Sequence, residues 1–76
     1  MPTEREFLDF AAAILGIPPP EAAMSLSCGS IPQWDSVMHI RLVLELEEHF
    51  GFQVPVGEIA EVKTLGGLYG YARTGK

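Results

Sequence analysis

The sequence has little cysteine, little positive charge and no long apolar run, and each shortage excludes a class of protein. Its one cysteine, Cys28, cannot form an internal disulfide, which is typical of a reducing compartment. Five Lys and Arg against ten Asp and Glu give a formal net charge of -5, which disfavours nucleic acid and anionic lipid and favours a basic protein partner. The start of the chain lacks the pattern of a secretory signal, and no apolar run reaches membrane-spanning length. We therefore expect a cytoplasmic monomer that does not insert into membranes.

The length of the chain limits how much function the fold can hold. The 76 residues suffice for one small domain, close to the size at which a single core is only marginally adequate. A hydrophobic fraction of 47% is typical of a folded protein. We expect a single domain over residues 1–76, with residues 73–76 as a frayed tail and no room for a large catalytic cleft.

Capping residues and apolar periodicity predict an all-α fold, a small bundle of four helices. Thr3 followed by Glu6 is a capping-box pattern, and Gly16 before three prolines ends the first helix. Asp35 is a suitable N-cap for the second helix, and Gly51 a suitable end. The four helices are predicted over residues 4–15, 36–50, 57–60 and 65–72.

The predicted connections and the last helix are less regular. A long loop over residues 18–34 is expected to pack on the bundle and to contain a helical turn near residues 21–24. Its anchoring side chains are predicted to be Met24, Leu26, Ile31 and Trp34. Thr64 can cap the last helix, whose three glycines each weaken it by about 1 kcal/mol relative to alanine, so it must depend on packing. Its inward residues are predicted to be Leu68, Tyr71 and Ala72.

The second helix is apolar on two sides. At 100° per residue, one apolar stripe faces the core and consists of His39, Leu42, Val43, Leu46 and Phe50. A second apolar stripe lies on the side of Ser36. It consists of Val37, Ile40 and Leu44, with Glu47 on the same face and Arg41 and Glu48 at its border. Either another helix covers this second stripe, or the stripe is exposed and binds partner proteins.

Ser36, in the first turn of this helix, has three possible roles. It can simply satisfy backbone donors, as serines in first turns often do. It can be a nucleophile, which would need a base such as His39 within hydrogen-bond reach. It can also carry a phosphate-linked group, because the backbone N–H groups and dipole at a helix N-terminus favour an anion.

Three stretches resemble the acyl and peptidyl carrier protein family, and with the first helix and the long loop the resemblance covers nearly the whole chain. They are Asp35-Ser36-Val37, the run LVLELEEHFGFQVP that begins in the second helix and continues past its end, and the segment EIAEVKTLGGLYGYA. The resemblance implies a four-helix carrier domain without catalytic activity of its own. It implies that Ser36 receives 4′-phosphopantetheine from coenzyme A through a phosphopantetheinyl transferase, and that the group then holds an acyl or aminoacyl cargo as a thioester. The second helix is the family's main recognition helix, so the implied docking residues are Val37, Ile40, Arg41, Leu44, Glu47 and Glu48.

Two positions depart from carriers of fatty acid synthesis, which usually have acids near Met38 and Arg41. The pattern W-D-S-x-x-H-I-x-L-V over residues 34–43 is more similar to stand-alone carriers of polyketide, peptide or modified-acyl pathways, and the run FGFQVPVGE is shared with D-alanyl carriers. We therefore expect acyl- or aminoacyl-loading enzymes and synthases of a specialised pathway as partners. An unmodified helical interaction module that uses the same apolar stripe is the alternative.

The remaining reactive side chains point to structural roles. His39 and His49 lie on different faces of one helix and no cysteine cluster accompanies them, so no metal site is expected. His39 is expected at the edge of the core and Trp34 as the anchor of the loop. Cys28, alone in a loop, is expected to be passive.

Overall fold

The computed structural model describes residues 3–74 as four α-helices joined by one long loop. The helices are α1 (Glu4–Leu15), α2 (Ser36–Phe50), α3 (Val56–Ile59) and α4 (Leu65–Thr74). Over this part of the chain there is no strand, only an isolated bridge between Ser27 and Thr64. The all-α fold class is therefore confirmed.

The predicted bounds hold for the two long helices and shift elsewhere. The loop contains a 3₁₀ turn at Pro19–Glu21, two residues before the predicted one. α3 begins and ends one residue earlier than predicted, and α4 runs on through Thr74. Residues 73 and 74 are therefore helical, whereas residues 75–76 of the expected frayed tail lie outside the described residues.

Local hydrogen bonds explain where α1 begins, and the backbone angles of two glycines explain where α1 and α2 end. Thr3 Oγ1 accepts from the Glu6 N–H at 3.1 Å, and the Glu6 carboxylate accepts from the Thr3 N–H at 3.0 Å. Hydrogen bonds to the Glu6 carboxylate, from the Thr3 backbone first and then from the Thr3 side chain, hold the pKa of Glu6 below its ordinary value. Gly16 and Gly51 end the helices with φ of 74° and 72°, in the left-handed region that favours glycine.

The core lies between α1, α2 and α4. Its buried side chains include Phe7, Leu8, Leu15, Leu42, Val43, Leu46, Leu65 and Leu68. The prediction that Tyr71 points inward needs correction, because Tyr69 is buried and Tyr71 is only half-buried. The Tyr69 ring packs edge-on against Phe7, with ring centroids 5.2 Å apart. Phe50 is likewise half-buried at the rim of the core, where its ring packs against Phe7 and Phe10.

The long loop is held against the start of α4. Three backbone hydrogen bonds join them: Gly66 N to Met24 O (2.8 Å), Leu65 N to Leu26 O (3.0 Å) and Cys28 N to Lys63 O (2.8 Å). A Cβ on Gly66 would lie 3.1 Å from Met24 O, so this glycine permits the close approach of the loop. Trp34 is fully buried, which confirms it as an anchor of the loop, and Met24, Leu26 and Ile31 are half-buried against the core.

Candidate functional site

Ser36 is exposed as the first residue of α2. Asp35 is the N-cap before it, and its carboxylate accepts from the Met38 N–H at 2.8 Å. The N–H groups of Ser36 and Val37 precede the first hydrogen bond within the helix, so they contribute to the positive end of the helix dipole. An anionic group on the Ser36 hydroxyl would lie in a favourable field, and the exposure of the residue leaves space for such a group.

The histidines of α2 are engaged away from Ser36. His39 is 5% exposed, its Nδ1 accepts from Trp34 Nε1 at 3.1 Å, and its Nε2 lies 2.7 Å from the carbonyl oxygen of Ile59. His49 lies near the far end of the helix, where its ring stacks on Phe10 with centroids 3.9 Å apart. Neither ring is placed as a base for Ser36, so the geometry does not support a nucleophilic serine.

The second apolar stripe of α2 is exposed. Val37, Ile40 and Leu44 are 78%, 55% and 53% exposed, whereas Leu42 and Leu46 are fully buried. Of the two alternatives that the sequence left open, the exposed stripe is confirmed, and the one in which another helix covers the stripe is wrong. An exposed apolar stripe that begins beside Ser36 is suited to contact another protein.

The charged residues around this stripe differ in how they are held. Arg41 Nε lies 2.7 Å from Glu45 Oε2, and Arg41 and Glu48 are exposed. Glu47 is half-buried, and its Oε2 accepts from the Val54 N–H at 2.6 Å. The sequence indicated only that Glu47 shares the face of the stripe; the structure shows that its carboxylate also holds the chain that leads into α3.

An open groove continues from the stripe between α2, α3 and α4. Its volume is about 770 Å³, and its apolar lining includes Leu44, Val54, Val56, Ile59 and Tyr71. Val56, 87% exposed, was not expected at the site, since a four-residue helix has too few residues to show a periodic pattern. The Tyr71 hydroxyl donates to the Glu58 carboxylate, a bond that raises the pKa of Tyr71 above 10.0.

A family match covers the part of the chain that contains this site. The pattern of the family described as the phosphopantetheine attachment site matches residues 34–72, which are 39 of the 76 residues. The chain belongs to this family. Members of the phosphopantetheine attachment site family bear 4′-phosphopantetheine as a covalent prosthetic group, so that cofactor and the resemblance to acyl and peptidyl carriers are confirmed. No curated protein matches the chain.

The family fixes the general role of the chain. Carrier domains of this kind are generally not catalytic themselves, and they interact with modifying enzymes and synthases. Within residues 3–74, no three His, Cys, Asp or Glu side chains come together as a metal site. Over the same residues, none of the helices has both the length and the apolar character that crossing a bilayer requires.

Proposed function

We propose that the chain is a carrier protein whose Ser36 hydroxyl is the attachment point for 4′-phosphopantetheine, transferred from coenzyme A by a phosphopantetheinyl transferase. The observation that carries this proposal is the exposed Ser36 at the N-terminus of α2, directly beside the exposed apolar stripe. Asp35 holds the first turn in place through its cap, and Val37 begins the stripe. When bound, the group supplies a terminal thiol that holds an acyl or aminoacyl cargo as a thioester.

The docking surface in this proposal is the exposed side of α2. Val37, Ile40 and Leu44 supply apolar contact, Glu47 shares their face, and Arg41 and Glu48 border it. The partners are the transferase, the acyl- or aminoacyl-loading enzymes and the downstream synthases. Because the cargo is tethered to the docked carrier, each partner meets it at a high effective concentration.

The pathway in this proposal is a specialised one, such as polyketide, peptide or modified-acyl assembly. Arg41 supports this because it places a positive charge, paired with Glu45, on the exposed side of α2. Met38 supports it less directly, since it is half-buried against the core and presents no acid to a partner. The cytoplasmic location and monomeric state expected from the sequence stay predictions.

The attachment proposal is tested by intact mass. The folded protein, first shown to be unmodified, is incubated with coenzyme A and a broad-specificity phosphopantetheinyl transferase. We expect a gain of one phosphopantetheine in the wild type and in Ser25→Ala, a matched control at an exposed loop serine, but not in Ser36→Ala. No gain in the wild type would overturn the proposal and favour an unmodified interaction module.

The pathway proposal needs a second experiment on the modified protein. The phosphopantetheine-bearing protein is incubated separately with a malonyl transferase of fatty acid synthesis and with adenylating enzymes that load amino acids or other acids. We expect faster loading by an enzyme of the second kind. The specialised assignment would be contradicted if the malonyl transferase loads the wild type faster and Arg41→Glu does not increase that rate further.

A further inference from the structure

A chain of two hydrogen bonds, one buried and one partly buried, connects α3 to the residue two positions before Ser36. Trp34 Nε1 donates to His39 Nδ1 at 3.1 Å, and His39 Nε2 lies 2.7 Å from Ile59 O. Trp34 has no exposed surface and His39 has 5%. In the described part of the chain, residues 3–74, His39 is the one residue outside the hydrophobic types that is buried. We refer to the Trp34–His39–Ile59 chain as the relay.

The groups at the two ends of the relay determine which ring nitrogen of His39 carries the proton. An indole N–H can only donate, so His39 Nδ1 must be the acceptor. A carbonyl oxygen can only accept, so Nε2 must carry the proton and donate to Ile59. Each ring nitrogen therefore has one partner, and together the two partners fix both the tautomer and the rotation of the ring.

The α3 end of the relay depends on such contacts. α3 has four residues and none of them is buried, and a helix that short is not stable on its own. Side chains of the neighbouring helices hold it: His39 through Ile59 O, Glu47 through Val54 N, and Tyr71 through Glu58. Of these three bonds, only the one from His39 continues to the serine end of α2.

The Trp34 end of the relay is fixed by the loop. The Gly29 N–H donates to Trp34 O at 2.7 Å, so the residue is held by its backbone as well as by its indole. Trp34 directly precedes Asp35, which caps α2, and Ser36 follows. A displacement of the Trp34 ring is thus passed to the turn that presents the serine.

We propose that His39 is a positioning residue that fixes α3, with its exposed Val56, against the turn that presents Ser36. This role rests on the proposed function of Ser36. A transferase that contacts both parts then meets one preformed surface, whereas without the relay it has to order them on binding. Loss of the relay is therefore expected to raise KM and to leave kcat nearly unchanged.

Two variants of similar size to histidine each remove one of the two hydrogen bonds of the relay. His39→Asn keeps an acceptor near the Nδ1 position and loses the donor to Ile59. His39→Gln keeps a donor near the Nε2 position and loses the acceptor for Trp34. Transferase kinetics are measured on the unmodified proteins below the Tm of every variant. KM should rise about tenfold in both variants, as the loss of one hydrogen bond of the relay implies.

Hydrogen exchange supplies a readout that a general loss of stability would not reproduce. In His39→Asn, the amides of α3 should exchange faster while the Trp34 indole N–H stays protected. In His39→Gln, the indole N–H should exchange faster while α3 stays protected. Leu8→Val, a core truncation in α1 away from the relay, is the control; it should lower Tm with an unchanged KM.

The outcomes separate this role from the proposed function. If the folded His39 variants are modified with the KM of the wild type, or if Leu8→Val raises KM as much, the positioning role is overturned while the carrier function stands. If the folded wild type takes up no phosphopantetheine, the proposed function is overturned and this role with it. Exchange that speeds up equally at α3 and at the indole in both variants would also overturn the role.

Discussion

Leu44 and Leu46 are the same residue type, two positions apart on α2, and they differ in exposure. Leu44 is 53% exposed and Leu46 is fully buried. Alanine at each position should therefore separate the two tasks of the helix. We expect Leu46→Ala to reduce the stability of the fold, and Leu44→Ala to weaken the interaction with partner enzymes.

The burial of the two side chains sets the size of each stability effect. Leu→Ala at a fully buried site costs about 2–5 kcal/mol, a large part of the roughly 4–11 kcal/mol expected for a domain of 76 residues. At Leu44 about half of the side chain is already in water, so the loss is roughly 1 kcal/mol. For a domain of this size, the Tm should fall by about 10–30 °C in Leu46→Ala and by about 5 °C in Leu44→Ala.

For binding to the transferase, we expect the opposite order: Leu44→Ala should have the larger effect and Leu46→Ala the smaller. If the exposed part of Leu44 is buried against the phosphopantetheinyl transferase, its loss costs about 1 kcal/mol, which is about fivefold in KM. Leu46→Ala should be modified with the KM of the wild type at a temperature at which it is folded. Each variant is followed by thermal unfolding and by transferase kinetics, with Ser36→Ala as the blank.

Two results would refute this reasoning. If Leu44→Ala unfolds at as low a temperature as Leu46→Ala, Leu44 is part of the core and the stripe is not a free surface. If Leu44→Ala is as stable as expected but has the KM of the wild type, the transferase does not contact this part of α2.

Three further predictions concern charge, backbone space and pH. Arg41→Glu should change the rate of association with a partner, by an amount that depends on salt, as measured by stopped-flow mixing. The substitution also removes the exposed i,i+4 ion pair with Glu45, which should lower the free energy of unfolding by only a few tenths of a kcal/mol, as measured by thermal unfolding. Gly70→Ala should raise the free energy of unfolding in a urea titration by up to about 1 kcal/mol, because the new Cβ meets nothing within 4 Å. Gly66→Ala should give no such increase, because its Cβ would lie 3.1 Å from the carbonyl oxygen of Met24 in the loop. The Tyr71 bond to Glu58 should stabilise the fold below pH 10 and lose its effect as the pH rises through the raised pKa of Tyr71, so the Tm difference from Tyr71→Phe should shrink in that range.

Each of these has an outcome that contradicts it. A large fall in Tm with an unchanged association rate in Arg41→Glu would mean that the arginine acts in the fold. Equal stabilisation by the two glycine substitutions would mean that the loop can move away from α4. A Tm difference between the wild type and Tyr71→Phe that does not depend on pH up to pH 12 would mean that the hydroxyl bond adds nothing.

The sequence was enough to place α1 and α2 because their ends depend on local chemistry. Thr3, Gly16, Asp35 and Gly51 act through hydrogen bonds or φ angles within a few residues, so their patterns can be recognised without tertiary contacts. The two stripes of α2 also follow from helical periodicity alone. Ser36 could be singled out because it occupies the first turn on the side of the second stripe.

What the sequence missed depends on distant partners. Tyr69 and Tyr71 are two positions apart on α4 and point to different sides of it, and the contact of Tyr69 with Phe7 in α1 shows which side faces the core. The bond from His39 to Ile59 spans 20 residues, and no local pattern indicates it. α3 is too short for a periodic signal, so the exposure of Val56 and the groove beside it could only be seen in the structure.

α3 lies beside the proposed docking surface and contributes no buried side chain to the core. A substitution at Val56, which is exposed and makes none of the hydrogen bonds that hold α3, therefore carries little energetic penalty for the rest of the fold, unlike substitutions in α1 or on the inner face of α2. Natural selection can vary such a position while folding stays intact. In this chain, Val56 is thus a position at which a single substitution can change the preference for a partner without disturbing the core.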